Sequence, residues 1–136
     1  MSRVYLDASC IIYLIEGASP FHEKVVSRLD RYGSDPQASL MTSRLSRLEC
    51  RVRPLHEGDS RLLAAYDAFF GAGRLMLGEV DAAVIERATA LRARYGLRTP
   101  DAIHLATAIE GRADLALTGD ATWRRCVEVV VEVLEP

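Results

Sequence analysis

Short apolar runs along this chain alternate with longer stretches in which apolar residues recur every three or four positions. Val4-Tyr5-Leu6 is an uninterrupted apolar run closed by an acid, and it predicts a buried strand over Arg3 to Leu6 that ends at Asp7. Ser9 is then the expected N-cap of the apolar turn Cys10 to Leu14. Ser19-Pro20 reads as a cap followed by a first-turn proline, and Phe21, Val25, Leu29 and Tyr32 keep helical spacing until Gly33. Ala38 to Thr42 predicts a second strand. Ser43 caps a helix whose apolar stripe is Leu45, Leu48, Val52 and Leu55, with Glu49 at the edge of that stripe. A further helix carries Leu62, Leu63, Tyr66, Phe69 and Phe70, and a strand follows over Arg74 to Val80. Asp81 caps a helix through Val84, Ala88, Leu91 and Tyr95, and Thr99-Pro100-Asp101 opens another that runs to Gly111. Leu115 to Thr118 is a strand, Gly119-Asp120 a turn, Ala121 to Arg125 a short helical piece and Val127 to Leu134 a final strand.

Strands alternating with helices predict an α/β layer fold, with a mainly parallel central sheet flanked by helices on both faces. The length of 136 residues fits one domain over 1–136. With 49% hydrophobic and 26% charged residues the composition is that of a globular chain, which excludes disorder and coiled coil. The longest apolar run, Cys10 to Ile15, falls far short of the roughly 20 residues that span a bilayer. With no signal-peptide pattern before Asp7, the expectation is a cytoplasmic protein without membrane contact. Cys10, Cys50 and Cys126 are odd in number and widely spaced, so they read as reduced core fillers rather than a disulfide or zinc framework. A net charge of -2 gives no whole-molecule attraction for nucleic acid, so any such role must rest on local patches.

Ligands of parallel α/β sheets bind outside the carboxyl ends of the strands. Asp7 and Asp120 each follow a strand, Asp101 lies in a helix first turn, and Glu49 lies in the second turn after Ser43, so all four reach one sheet edge. Singly each has an ordinary structural explanation, as cap, turn residue or solvated acid. Together they repel one another, and such a cluster is tolerable mainly when it holds a cation; oxygen donors suit Mg²⁺ or Mn²⁺.

The segments Val4-Tyr5-Leu6-Asp7-Ala8-Ser9, Thr42 to Glu49, Thr99 to Ala108 and Leu117-Thr118-Gly119-Asp120 resemble the successive motifs of PIN-domain nucleases, and are most similar to the VapC-type toxins of bacterial toxin–antitoxin pairs. The resemblance implies a PIN-like three-layer α/β/α fold. It makes Asp7, Glu49, Asp101 and Asp120 the catalytic, metal-binding acids, with Ser9 and Thr118 as supporting neighbours that hydrogen-bond them. Nearby Asp114 is a possible substitute for Asp120. Trp123 stands where the family commonly has phenylalanine, a change expected to affect packing rather than chemistry. The implied activity is Mg²⁺- or Mn²⁺-dependent hydrolysis of an RNA phosphodiester by the toxin of such a pair. Implied partners are an RNA substrate, a small cognate antitoxin whose arginine lies among the carboxylates, and a second copy of the chain, docked through helices carrying Tyr66, Phe69 and Phe70.

Arg44, Arg47 and Arg51 recur on the helix that carries Glu49, and Arg98 precedes the Thr99 cap; these are candidate RNA contacts, though such a row is equally a solvated face. His104 reads as a packed or capped histidine, since no second histidine follows at metal-ligand spacing. A phosphoacceptor or phosphatase reading requires a lysine near the C-terminal side of the sheet, and Lys24, the only lysine, sits in an early helix. A housekeeping PIN-type RNA-processing nuclease and a catalytically silent binding module remain as alternatives.

Overall fold

The chain places its most apolar strand at the centre of a five-stranded parallel sheet, as the computed structural model shows for residues 2–135. β1 (Arg3–Leu6) lies between β2 (Ser39–Ser43) and β4 (Leu115–Thr118), with β3 (Leu75–Gly78) and β5 (Val131–Val133) at the edges. Val4 pairs with Leu40 and Leu115, and Tyr5 with Met41 and Ala116. Because successive side chains point to opposite faces, Val4 and Leu6 join one core with Ile11, Val25, Tyr66 and Phe70. Tyr5 joins the other, with Leu91, Leu105 and Trp123. Helices α1 (Ala8–Glu16), α2 (Phe21–Gly33), α3 (Arg44–Glu57) and α4 (Ser60–Phe70) contribute to the first core, and α5 (Ala82–Tyr95) and α6 (Thr99–Glu110) to the second. This is the expected three-layer α/β/α fold. Cys10, Cys50 and Cys126 are free and buried, and no helix among the described residues is long and apolar enough to cross a membrane.

Local structure departs from the sequence expectations where a tertiary partner outweighs a pattern. Asp7, not Ser9, caps α1: its Oδ1 accepts from the Cys10 N–H at 2.9 Å, while the Ser9 hydroxyl donates to the same carboxylate. Arg98, not Thr99, holds the cap position of α6 and makes no side-chain cap bond. Ser19 donates to Glu23 instead of capping α2, whose cap position falls to Pro20. The last strand shrinks from the expected Val127–Leu134 to three residues, because β4 offers only a short ladder; Val127 stays 73% exposed.

The stripe on α3 is reversed. Ser46, Cys50 and Pro54 face inward, and Leu48, Val52 and Leu55 are 56–58% exposed. Small residues let this helix approach closely, and the buried hydrogen bond between Thr42 and Ser46 hydroxyls, 2.7 Å, fixes its rotation. On α4, Tyr66 and Phe70 are core residues with Phe69 packed against them.

Leu105 is fully buried between α6 and the sheet. Leu105→Ala is expected to lower the unfolding free energy in urea by about 2–5 kcal/mol, whereas Val127→Ala, in the segment left outside β5, is expected to change it by less than about 0.5 kcal/mol.

Candidate active site

The sheet order reverses direction at β1, since the chain moves outward through β2 and β3 and then returns to β4 and β5. Such a switch point leaves a crevice at the carboxyl ends of the central strands. Here it is a cleft of about 320 Å³ lined by Asp7, Glu49, Asp101 and Asp120 together with Arg98 and Tyr13.

Asp7 is 5% exposed and is held at both oxygens. Oδ1 accepts from the Ser9 hydroxyl at 2.7 Å and the Cys10 N–H at 2.9 Å, and Oδ2 accepts from the Thr118 hydroxyl. The loop after β4 is tied to the same group at one remove: Gly119 N–H donates to Ser9 Oγ at 3.1 Å and Asp120 N–H to Thr118 Oγ1 at 3.0 Å. A Cβ on Gly119 would lie 3.1 Å from Ser9 Oγ and 3.3 Å from the Tyr13 ring, so a side chain there would crowd this lacing.

Asp101, 7% exposed, accepts from the Trp123 indole N–H at 3.0 Å on Oδ1 and from Arg98 Nε at 3.1 Å on Oδ2. Arg98 also reaches Asp120 Oδ2 at 3.8 Å, bridging two acids of the cleft. Asp120 accepts on Oδ1 from the Thr122 N–H and hydroxyl, which caps the 3₁₀ turn Ala121–Arg125. Glu49 Oε1 meets His104 Nε2 at 2.6 Å, and the buried His104 ring meets the Tyr5 hydroxyl through Nδ1 at 2.6 Å.

The cleft's negative charge is felt by its neighbours. Burial, and after it the charges of Glu49 and Asp7, pushes the Cys50 thiol up to about 12. Burial followed by Asp7 also raises Cys10 and Tyr13. Neutral buried thiols are inert as nucleophiles, which removes cysteine chemistry. The hydrogen bond to Asp101, then the charges of Asp101, Asp120 and Glu49, hold the Arg98 proton more tightly.

The remaining arginines of the sequence reading lie elsewhere. Arg44 pairs with Glu79 through two bonds, and Arg47 and Arg51 share Asp67 at 3.4 and 2.8 Å. All three rim a separate apolar groove along α3 with Leu48, Val52 and Leu55, so only Arg98 reaches the acids. Asp114 is at the opposite end of the sheet, where its Oδ2 accepts from the Arg3 N–H at 2.7 Å; it is no substitute for Asp120. The structure also corrects the reading of Trp123, whose indole makes a bond to an acid that phenylalanine cannot make. Its sequence signal was the departure itself, an aromatic with a donor beside an acid-bearing turn. His104 is buried, as expected of a packed residue, and its Asp101+3 spacing puts it on the face of α6 that meets Glu49.

As the side chains stand, no three metal-ligating groups among the described residues are arranged to hold an ion together. The donor set nevertheless fits a hard divalent cation: four carboxylates, all oxygen, face a single guanidinium in the cleft.

Comparison with known proteins places this geometry. A family model described as PIN domain matches residues 4–128. No curated protein matches the chain. Among solved structures, VapBC2 from Rickettsia felis bound to a DNA fragment from its promoter is similar with a TM-score of 0.78 at 14% identity, covering 96% of this chain and 98% of that one. A toxin–antitoxin complex from Klebsiella pneumoniae gives 0.69 at 23% identity over 93% and 95%. The Mycobacterium tuberculosis VapC20 toxin, which cleaves the sarcin–ricin loop, gives 0.66 at 18% over 83% and 86%. At these identities the likeness is one of fold.

Thr118→Val keeps shape and removes the donor to Asp7 Oδ2. It is expected to cost about 1–3 kcal/mol of stability, the scale for a buried acceptor left unpaired, as read from urea unfolding in EDTA.

Proposed function

The chain belongs to the PIN domain family, and on that premise we propose that it is a Mg²⁺- or Mn²⁺-dependent endoribonuclease, the toxin of a cytoplasmic toxin–antitoxin pair, with residues 1–136 forming one domain. The observation that carries this reading is the gathering of Asp7, Glu49, Asp101 and Asp120, drawn from distant parts of the chain, in one cleft at the sheet's switch point. These four acids would hold the metal, which when bound supplies Lewis acidity toward water and a counter-charge for phosphate.

The chain's own residues do the rest. Ser9 and Thr118 fix both oxygens of Asp7, so its carboxylate is oriented before substrate arrives. Arg98, 77% exposed at its side chain and bonded to Asp101, is the cation of the cleft placed to exchange that acid for an RNA phosphate. Arg44, Arg47 and Arg51 serve substrate only after exchanging Glu79 and Asp67 for phosphate. In the reaction, water oxygen bonds to phosphorus, the P–O3′ bond breaks and the 3′ oxygen takes up a proton. The products carry a 5′ phosphate and a 3′ hydroxyl.

Two partners accompany this activity. A small antitoxin places an arginine against the acids, in competition with Arg98. A second copy of the chain docks on α3, where Leu48, Val52 and Leu55 form an exposed stripe continuous with Val80.

Purified chain with Mg²⁺ or Mn²⁺ is expected to cut total bacterial RNA into discrete fragments with 5′-phosphate ends, and EDTA to stop it. Asp7→Asn and Asp101→Asn are each expected to lower the cleavage rate by at least about 100-fold, the scale for losing one charge-stabilising group. Full activity in both variants would overturn the assignment, and a folded chain that binds no metal would leave a binding module. Expression alone is expected to arrest growth and co-expression of the neighbouring gene to relieve it; harmless expression of active protein would favour the housekeeping nuclease.

Val52→Glu is expected to convert a dimer to a monomer in light scattering while leaving the thermal midpoint of the monomer within a few degrees, about what a surface substitution does.

A further inference from the structure

Two acids of the cleft are gripped from behind by the hydrophobic core. Tyr5, His104 and Trp123, each at most 3% exposed, form one aromatic cluster: the His104 ring lies edge-on to Tyr5 at 5.9 Å and 5.7 Å from the Trp123 ring. Each outer arm of this cluster ends on an acid, His104 Nε2 on Glu49 Oε1 at 2.6 Å and Trp123 Nε1 on Asp101 Oδ1 at 3.0 Å. A carboxylate only accepts, so Nε2 carries the proton, and in the neutral ring Nδ1 then accepts from the Tyr5 hydroxyl, 2.6 Å away.

We propose that His104 and Trp123 are positioning residues, a buried clamp that presents Glu49 and Asp101 to a divalent cation; this rests on the metal-dependent reading above. Each arm holds one carboxylate oxygen and leaves the other to the cleft. Asp101 Oδ2 takes the cleft's guanidinium, and Glu49 Oε2 accepts no hydrogen bond among the described residues. A glutamate on a helix surface samples many rotamers and loses that freedom when it ligates; a glutamate already fixed by a buried imidazole has less to lose. The clamp also joins α3 to α6 and the segment after β4, so the relative placement of Glu49 and Asp101 is set by packing of two rings rather than by solvent-exposed contacts. Hydrogen-bond partners of metal ligands carry this kind of orientation in other metal sites. The indole arm is a feature of this chain's tryptophan, since phenylalanine in its place has no donor.

The test is Mn²⁺ affinity, read by calorimetry and by the loss of the free-ion signal in electron paramagnetic resonance, on the full chain without RNA. His104→Leu is expected to weaken binding about 10- to 100-fold, the range for partners of metal ligands, and His104→Gln, whose amide N–H can still reach Glu49, to restore most of it. Trp123→Phe is expected to weaken it about tenfold. Val84→Ala loosens the same core without touching an acid; it should lower the thermal midpoint and leave Mn²⁺ affinity unchanged. If His104→Leu and Trp123→Phe remain folded and bind Mn²⁺ like the unaltered chain while Asp7→Asn binds weakly, the clamp is wrong and the metal site stands. Equal loss in His104→Leu and His104→Gln, or loss in Val84→Ala, would also overturn it by making the effect one of packing. If the unaltered chain binds no Mn²⁺, the metal-dependent reading falls and the clamp falls with it.

Discussion

The structure turns on one buried charge. Asp7 sits where the central strand ends, nearly out of water, and an unpaired carboxylate there would cost several kcal/mol. The chain satisfies it with donors from the start of α1 and from the end of β4, so placing this carboxylate also fixes the entry of α1 and the docking of the loop after Thr118. The register of Leu6 against Leu117 brings Thr118 to the right height, and Gly119 lets its N–H approach Ser9. The D-x-S and T-G-D motifs, more than a hundred residues apart in sequence, are thereby one hydrogen-bonded unit.

The second constraint is charge balance. Several arginines elsewhere on the surface are matched to acids of their own, as Arg87 is to Glu110 and Arg53 to Glu16. In the cleft, one guanidinium faces four carboxylates, and it makes a close bond to only one of them. Anions held this near one another raise each other's free energy unless positive charge enters. The same imbalance that would draw in a divalent cation would draw in a partner's arginine, so on the proposed reading a metal and a peptide guanidinium would compete with Arg98 for one place.

What was legible in the sequence followed from local pattern. Uninterrupted apolar runs such as Val4-Tyr5-Leu6 and Leu115 to Thr118 gave β1 and β4 with their limits, and Asp81 and Gly96 gave both ends of α5. The gathering of the four acids at one edge was legible because strand ends in a parallel sheet share a side. What local pattern cannot carry is a choice between two partners. Asp7 and Ser9 are both good caps, and Thr118, distant in sequence, decides which oxygen is used. Asp114 and Asp120 flank the same strand, and strand direction, not spacing, sends one to each end of the sheet. The bond from Trp123 to Asp101 joins a turn to a helix and has no periodic signature.

The reversal of α3 shows what such a misreading reveals. A helix that packs by its largest side chains would have buried Leu48, Val52 and Leu55; this one buries Ser46, Cys50 and Pro54 and brings its axis close to the strand ends. That close approach is what allows Glu49, a residue on the flank of the helix, to reach His104 across to α6. Had the leucine face been turned inward, the rotation would have carried Glu49 away from α6. The rotation that brings the acid into the cleft therefore leaves the apolar stripe outside, the kind of exposed patch that marks interaction surfaces in other proteins. Site geometry and the exposed apolar stripe are two consequences of a single rotation of one helix.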